Sequence, residues 1–305
     1  MIPRPIRALA PLLGALAGLP SLQAQSTPAD VVTERAAYVE WLTTAANSPL
    51  VAVAQQPIGT GLRLGPDDAD IPLSGVPEHR VTVGGGSVRL EGPEGSRVLP
   101  RGRPVELGRY GLAAAGAGER AVLTVFADTG TRKSPSHFDY DPALAFEGTL
   151  APPDEPGTVR VLAVDGTVTE AAEAGTVTVP VGGARVRLRV RRIATSVEES
   201  DLEIFFRDDT NGAGTYPAGR FVSLVPLGGD RYRLDFNRAR NPFCAYSSAY
   251  PCPAPWSGNT IPAPVRAGER YAGGGLDVPP GAGAPGAASA PRDDTARAAA
   301  GGARR

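Results

Sequence analysis

Residues 158–193 read TVRVLAVDGTVTEAAEAGTVTVPVGGARVRLRVRRI. Three runs inside it, TVRVLAV, GTVTVPV and ARVRLRVRRI, alternate apolar with polar side chains. Successive side chains of a strand point to opposite faces, so this period of two predicts half-buried strands and not helices. Gly182-Gly183, between the last two runs, suits a two-residue hairpin turn, whose central positions need positive φ. In the third run Val186, Leu188 and Val190 share one face, and Arg185, Arg187, Arg189 and Arg191 share the other. Such a row reads first as the wet side of an antiparallel sheet, with capture of an anion by four arginines as the alternative.

The same texture runs from residue 80 to residue 236. Gly84-Gly85-Gly86 reads as a hairpin turn between strands at 80–83 and 87–91. Further strands are expected at 105–108, at 120–128 (RAVLTVFAD), at 145–149, and at 201–207, 220–226 and 231–236. The triple glycine and Gly59-Thr60-Gly61 both lack the spacing of a phosphate-binding loop. Before the strands, Val32, Ala36, Val39, Leu42 and Ala46 recur at helical spacing. Thr27 suits a helix cap and Pro28 the first helical position, so a helix is expected over 28–46, ending before Asn47-Ser48-Pro49. The expected fold is mainly β: an antiparallel β-sandwich or open barrel with one N-terminal α-helix.

The two ends read differently. Arg4 and Arg7 precede an apolar run from Ala8 to Leu22, followed by Leu22-Gln23-Ala24. That is the pattern of a secretory signal peptide over 1–24, and the run is too short and too broken by Gly and Pro to span a membrane stably. An exported, periplasmic or secreted protein with no membrane span after signal cleavage is expected. Residues 272–305 are Gly, Ala, Pro and Arg with almost no large apolar side chains, the composition of a disordered tail. The organisation expected is therefore signal at 1–24, helix and boundary at 25–48, a β-rich domain at 49–271 and the tail at 272–305. With 31 basic against 32 acidic residues, and no basic stretch alternating with aromatics, nucleic-acid binding has no electrostatic support.

Residues 201–271 hold both cysteines and most of the polar groups that would build a site. DDTNGAGTYPAG joins two strands, and its Asp209-Thr210-Asn211-Gly212 reads as an Asx-stabilised turn better than as half of a calcium loop. Gly219 before Arg220 lets a guanidinium lie close to backbone. Asp235 is its expected partner in an inter-strand ion pair, with capture of an anionic ligand as the alternative. Asn237 and Asn241 flank Arg238-Ala239-Arg240, where their side chains can satisfy loop backbone. Cys244 and Cys252 are eight residues apart, and in an exported chain a disulfide closing this loop is the simplest reading. Metal ligation and a nucleophilic or redox thiol are the other two. His79 and His137 are the only histidines, and neither lies in this region. His137, Asp139 and Asp141 are close enough in sequence to hold a metal, but such a loop reads first as a solvated connection. No cofactor and no metal are expected.

These same residues carry a resemblance. Asp209-x-x-Gly212, Thr215-Tyr216-x-x-Gly219-Arg220, Asp235-Phe236-Asn237-x-Ala239-x-Asn241-Pro242-x-Cys244-Ala245, Cys252-Pro253, Asn259 and Ala267-Gly268-Glu269 stand in the order and spacing of the DUF1684 family of bacterial and archaeal proteins. The resemblance is sharp over 200–271 and looser upstream. Arg240 departs from it, standing where the family pattern has an aromatic before Asn-Pro. The family is one of unknown function, so the resemblance implies no activity. The residues themselves support an exported ligand-binding or structural β domain of the cell envelope. Its candidate small-molecule pocket is lined by Tyr216, Arg220, Asp235, Asn237, Asn241 and Glu269. The alternative is a hydrolase using Asp209 and Asp235 as a carboxylate pair. Convergence of these groups over an empty space favours a ligand or catalysis, and mutual saturation in the interior favours structure.

Overall fold

A computed structural model describes residues 26–128, 130, 132–194 and 200–271. The signal-like segment 1–24 and the tail 272–305 lie outside the described residues. The strands are, in chain order, β1 (Ala52–Pro57), β2 (Leu62–Gly65), β3 (Ile71–Pro72), β4 (His79–Gly84), β5 (Ser87–Gly92), β6 (Gly95–Leu99), β7 (Val105–Leu107), β8 (Tyr110–Ala115) and β9 (Val122–Ala127). There follow β10 (Ala145–Thr149), β11 (Thr158–Leu162), β12 (Val168–Val181), β13 (Ala184–Ala194), β14 (Ser200–Asp208), β15 (Arg220–Gly228), β16 (Arg231–Asp235) and β17 (Thr260–Ile261).

The alternation at 158–193 becomes three neighbouring antiparallel strands. β12 and β13 pair from Val181↔Ala184 outward, closed by Gly182 at φ 60° and Gly183 at φ 79°. Both values lie in the left-handed region, where glycine has no Cβ to clash. Val186, Leu188 and Val190 are buried, while Arg185 and Arg187 are exposed. The row does not stay wet to its end. Arg191 is buried, with its guanidinium 4.5 Å from the centroid of the Trp256 ring and 2.8 Å from Glu173.

The strands form three sheets, ordered β1-β9-β8-β7, β3-β2-β4-β5-β6 and β10-β16-β15-β14-β13-β12-β11, the last with β17 beside β14. Only β2–β3 and β14–β17 pair parallel among the described strands. The sheets are sandwich-like, and none closes into a barrel. One apolar core joins the first two sheets through Leu64, Val81, Leu90, Leu112 and Val125. A second lies in the third sheet, through Leu188, Ile204, Phe206, Val222, Phe236 and Val265. Each fully buried side chain of this size contributes about 1.5–3 kcal/mol, so these two cores drive folding.

The helix, α1, spans Ala29–Thr44. Pro28 occupies the cap position itself, no side chain caps the helix, and Thr27 does not take that role. The expected stripe is also displaced. Val31 and Leu42 are buried and Val32 is 51% exposed. The inward face carries Val31, Arg35, Tyr38 and Leu42 because α1 docks on a polar and aromatic loop, not on an aliphatic sheet. At its end Ser48 Oγ donates to the Leu42 carbonyl and accepts from the Leu50 amide, turning the chain into β1.

Candidate functional site

The site is built on the β14–β15 hairpin. Phe206 faces Arg220 in the ladder, so Asp208, two residues on, lies on the same face and diagonal to Arg220. Arg220 is fully buried and its Nη2 donates to Asp208 Oδ2 at 2.8 Å and to the Val265 carbonyl at 2.8 Å. Nη1 donates to the Ala267 carbonyl, and the guanidinium lies 5.2 Å from the Phe206 ring centroid. Burial lowers the Arg220 pKa and the Asp208 carboxylate opposes that shift. Asp208 Oδ1 in turn accepts from the Thr210 amide and hydroxyl and from the Val265 amide. The partner of Arg220 is therefore Asp208 and not Asp235. The Asx turn is present but is centred on Asp208, with Asn211 Oδ1 accepting from the Asp208 amide.

Asp235 has a separate task. Its Oδ1 accepts from the Asn237 amide at 2.9 Å and from Asn237 Nδ2 at 2.8 Å, capping the 3-10 turn Phe236–Arg238. Asn237 Oδ1 accepts from the Asp141 amide, and its Nδ2 also reaches the Asp141 carbonyl. Asn237 is thus saturated by the chain around it. Asp209 is exposed on the turn and uses its amide on the Ala263 carbonyl. No hydrogen bond joins Asp209 to Asp235 among the described residues.

A second buried cluster lies under α1. Glu269 is fully buried, accepting from the Asn241 amide at 2.8 Å and from the Tyr246 hydroxyl. Tyr246 meets the Tyr38 hydroxyl of α1 at 3.2 Å. Burial pushes the Glu269 carboxyl up to about 7, against the pull of these donors and of Arg240. Asn241 Nδ2 donates to the Arg270 carbonyl, and its buried Oδ1 has no partner. Arg240 lies over the Tyr38 ring at 5.8 Å and 3.8 Å from the buried Glu203. His137 forms a bridge to Glu269 through the backbone, which ties down the start of the 137–141 loop, while Asp139 and Asp141 stay exposed as expected of a solvated connection. Burial, helped by the charge of Arg35, drives the His137 imidazole down to about 4. The cavity among Arg35, Tyr38, His137, Asn237 and Arg240 measures about 20 Å³, room for about one water.

Cys244 and Cys252 stand at disulfide distance, Cα to Cα 5.5 Å. The Tyr216 hydroxyl lies 3.3 Å from the Cys244 sulfur and 3.2 Å from the Cys252 sulfur. The structure thus places Tyr216, Arg220, Asp235, Asn237, Asn241 and Glu269 in four separate bonded groups and does not converge them on one open space. Roomier cavities lie elsewhere, one of about 390 Å³ among Val76, His79, Leu90, Gly92, Arg97 and Glu106. No group of three or more metal-ligating side chains occurs among the described residues. The row Arg187, Arg189 and Arg191 is matched by Asp154 and Glu173. Asp208, Tyr246 and Tyr38 are the residues that reading the sequence missed. Asp208 was within reach of the hairpin register; Tyr38 and Tyr246 meet across a tertiary contact that no local pattern announces.

This is a β protein whose most distinctive polar residues are interior. Residues 133–270 match the family described as "Protein of unknown function (DUF1684)". The chain belongs to that family. The solution NMR structure of an uncharacterized protein of Haloarcula marismortui is 34% identical to it, over 45% of this chain and 76% of that one, with a TM-score of 0.40. No curated protein matches.

Proposed function

We propose that the chain is an exported, non-catalytic β domain of the cell envelope, with the 201–271 segment serving as a structural frame. One observation carries this reading: the candidate pocket residues are buried and bonded to one another or to backbone. Arg220 bonds Asp208, Asp235 bonds Asn237, and Glu269 bonds Asn241 and Tyr246, all inside the fold. Buried polar groups satisfied in this way fix a unique loop path and leave little capacity for substrate. The hydrolase reading draws no support from an exposed Asp209 and a buried, capping Asp235. Export is supported by the signal-like pattern at 1–24 and by a cysteine pair at disulfide distance. A small ligand, for which the 390 Å³ cavity has the volume of a typical site, would enter between the first two sheets and not at the signature residues.

The test is a panel of ester, peptide, glycoside and phosphoester substrates, run beside a thermal-shift screen of anions, sugars and metal ions. The expected outcome is no turnover, and any ligand shift abolished by substitutions at Arg97 or Glu106. Turnover lost in a folded Asp209→Asn variant would establish the hydrolase instead. Mass spectrometry of protein from its native host should show a chain starting after Ala24; an intact Met1 would refute export by this signal.

A further inference from the structure

The Tyr216 hydroxyl donates to the Cys244 carbonyl oxygen at 3.2 Å and lies within reach of both sulfurs of the cysteine pair, at 3.3 Å and 3.2 Å, to which its single proton can turn. A disulfide is a weak acceptor and has little use for a donor aimed at it; a thiolate gains strongly from one. The two sulfurs also differ in access. Cys244 is 2% exposed, whereas Cys252 is on the surface. An incoming thiolate attacks the sulfur that it can reach, which makes Cys252 the attacked atom and Cys244 the leaving one.

We infer that Cys244–Cys252 is a thiol–disulfide exchange site, opened by a thiol reductant at Cys252, with the Tyr216 hydroxyl donating to the departing Cys244 sulfur. The first thiolate bonds to Sγ of Cys252. The bond between the two cysteine sulfurs breaks, and its electron pair stays on Cys244 as a thiolate. A second thiolate then attacks the mixed disulfide, releasing the oxidised reductant and leaving Cys252 as a thiolate. Both thiolates take protons from water, so two thiols are oxidised for each disulfide reduced. Burial, and next to it the neighbouring Tyr271, raises the Tyr216 phenol to about 12, which keeps it a donor at neutral pH.

Opening has a structural readout. The 244–252 loop carries Tyr246, which bonds Glu269 and meets Tyr38 of α1. Phe243, adjoining Cys244, packs 5.9 Å from the Trp41 ring, centroid to centroid. Reduction therefore releases one of the anchors of α1, and Trp41 senses it. This chemistry belongs to the protein's own sulfurs and stands or falls apart from the non-catalytic, exported reading.

The test uses the full oxidised chain in glutathione buffers without denaturant, quenched by alkylation and read by peptide mass spectrometry. Glutathione should be found on Cys252 with the free, alkylated thiol on Cys244, while far-UV circular dichroism stays unchanged. Tyr216→Phe should slow opening by about tenfold or more, the effect of one hydrogen bond to a charged sulfur. Trp41 emission should change in step with opening, and Trp41→Phe should remove that change. Glutathione on Cys244, opening only after global unfolding, or an unchanged rate in Tyr216→Phe would overturn the assignment. If the phenylalanine variant does not fold, the position of the adduct in the unmodified sequence decides alone.

Discussion

Arg220 shows how a single side chain organises its surroundings. A guanidinium with no exposure needs a counter-charge and hydrogen-bond acceptors, because an unpaired buried charge is very costly. Asp208, Val265 and Ala267 supply them, and Gly219 makes room. Gly219 has φ 111°, and a Cβ there would fall 2.5 Å from the Phe206 carbonyl oxygen. Gly219→Ala should therefore destabilise by about 1–3 kcal/mol in denaturant unfolding. Asp209→Ala, one residue from the buried carboxylate but exposed, should stay within about 0.5 kcal/mol. Equal effects of the two would contradict this placement. The sequence marked Arg220 as needing an acid but pointed to Asp235. Hairpin register explains the difference: Phe206 opposes Arg220, whereas β15 meets β16 farther along, at Leu224↔Leu234.

At the scale of elements, α1 shows where periodicity misleads. Leu42 faces inward as its spacing predicts, but Val32 does not, because the surface receiving the helix is polar and aromatic. Tyr38 reaches Tyr246, Arg35 donates to the Phe138 and Asn237 carbonyls, and Arg238 binds Asp30 and Glu34. The patch includes two titrating groups of opposite effect. The Glu269 pKa is raised from 4.5 to about 7, so its contribution is full below pH 4.5 and is lost as pH rises through 7. That of His137 is lowered from 6.5 to about 4, so its contribution is full above pH 6.5 and is lost as pH falls through 4. The two oppose between pH 4.5 and 6.5, and above 6.5 only the Glu269 loss continues. Unfolding midpoints against pH should show a decline above pH 6.5 that disappears in Glu269→Gln. In His137→Asn the decline should extend down to pH 4.5. Glu203, raised to about 6 mainly by burial, is common to all three proteins and cancels in the comparison. Identical profiles for the parent and Glu269→Gln would contradict the buried placement of this carboxyl.

Across the whole molecule, local signals were readable and distant pairings were not. Gly182-Gly183 and the alternating valines and arginines placed the β12–β13 turn and β13 almost to the residue, while β12 starts at Val168, seven residues before the expected run. The neighbours β10 and β16, joined at Ala145↔Asp235, depend on chain closure over some ninety residues, which no short-range pattern encodes. The two apolar cores carry the fold, while the DUF1684 signature uses its acids, amides and arginine to pin one long loop across it. Its Asx turn was readable from Asp-Thr-Asn-Gly; the burial of Glu269 was not, since its bonds come from Asn241 and Tyr246, more than twenty residues away. The measurement that tests this structural role most directly is a double-mutant cycle by denaturant unfolding, with Arg220→Met, Asp208→Ala and Asp235→Ala. Arg220→Met and Asp208→Ala should each cost about 3–5 kcal/mol, since each strands a buried charge. Their double should cost less than the sum by about 1–3 kcal/mol, while Arg220→Met with Asp235→Ala should be additive to about 0.5 kcal/mol. Single variants at Arg220 and Asp208 that leave stability unchanged would mean that the pair is held for a ligand and not for the fold.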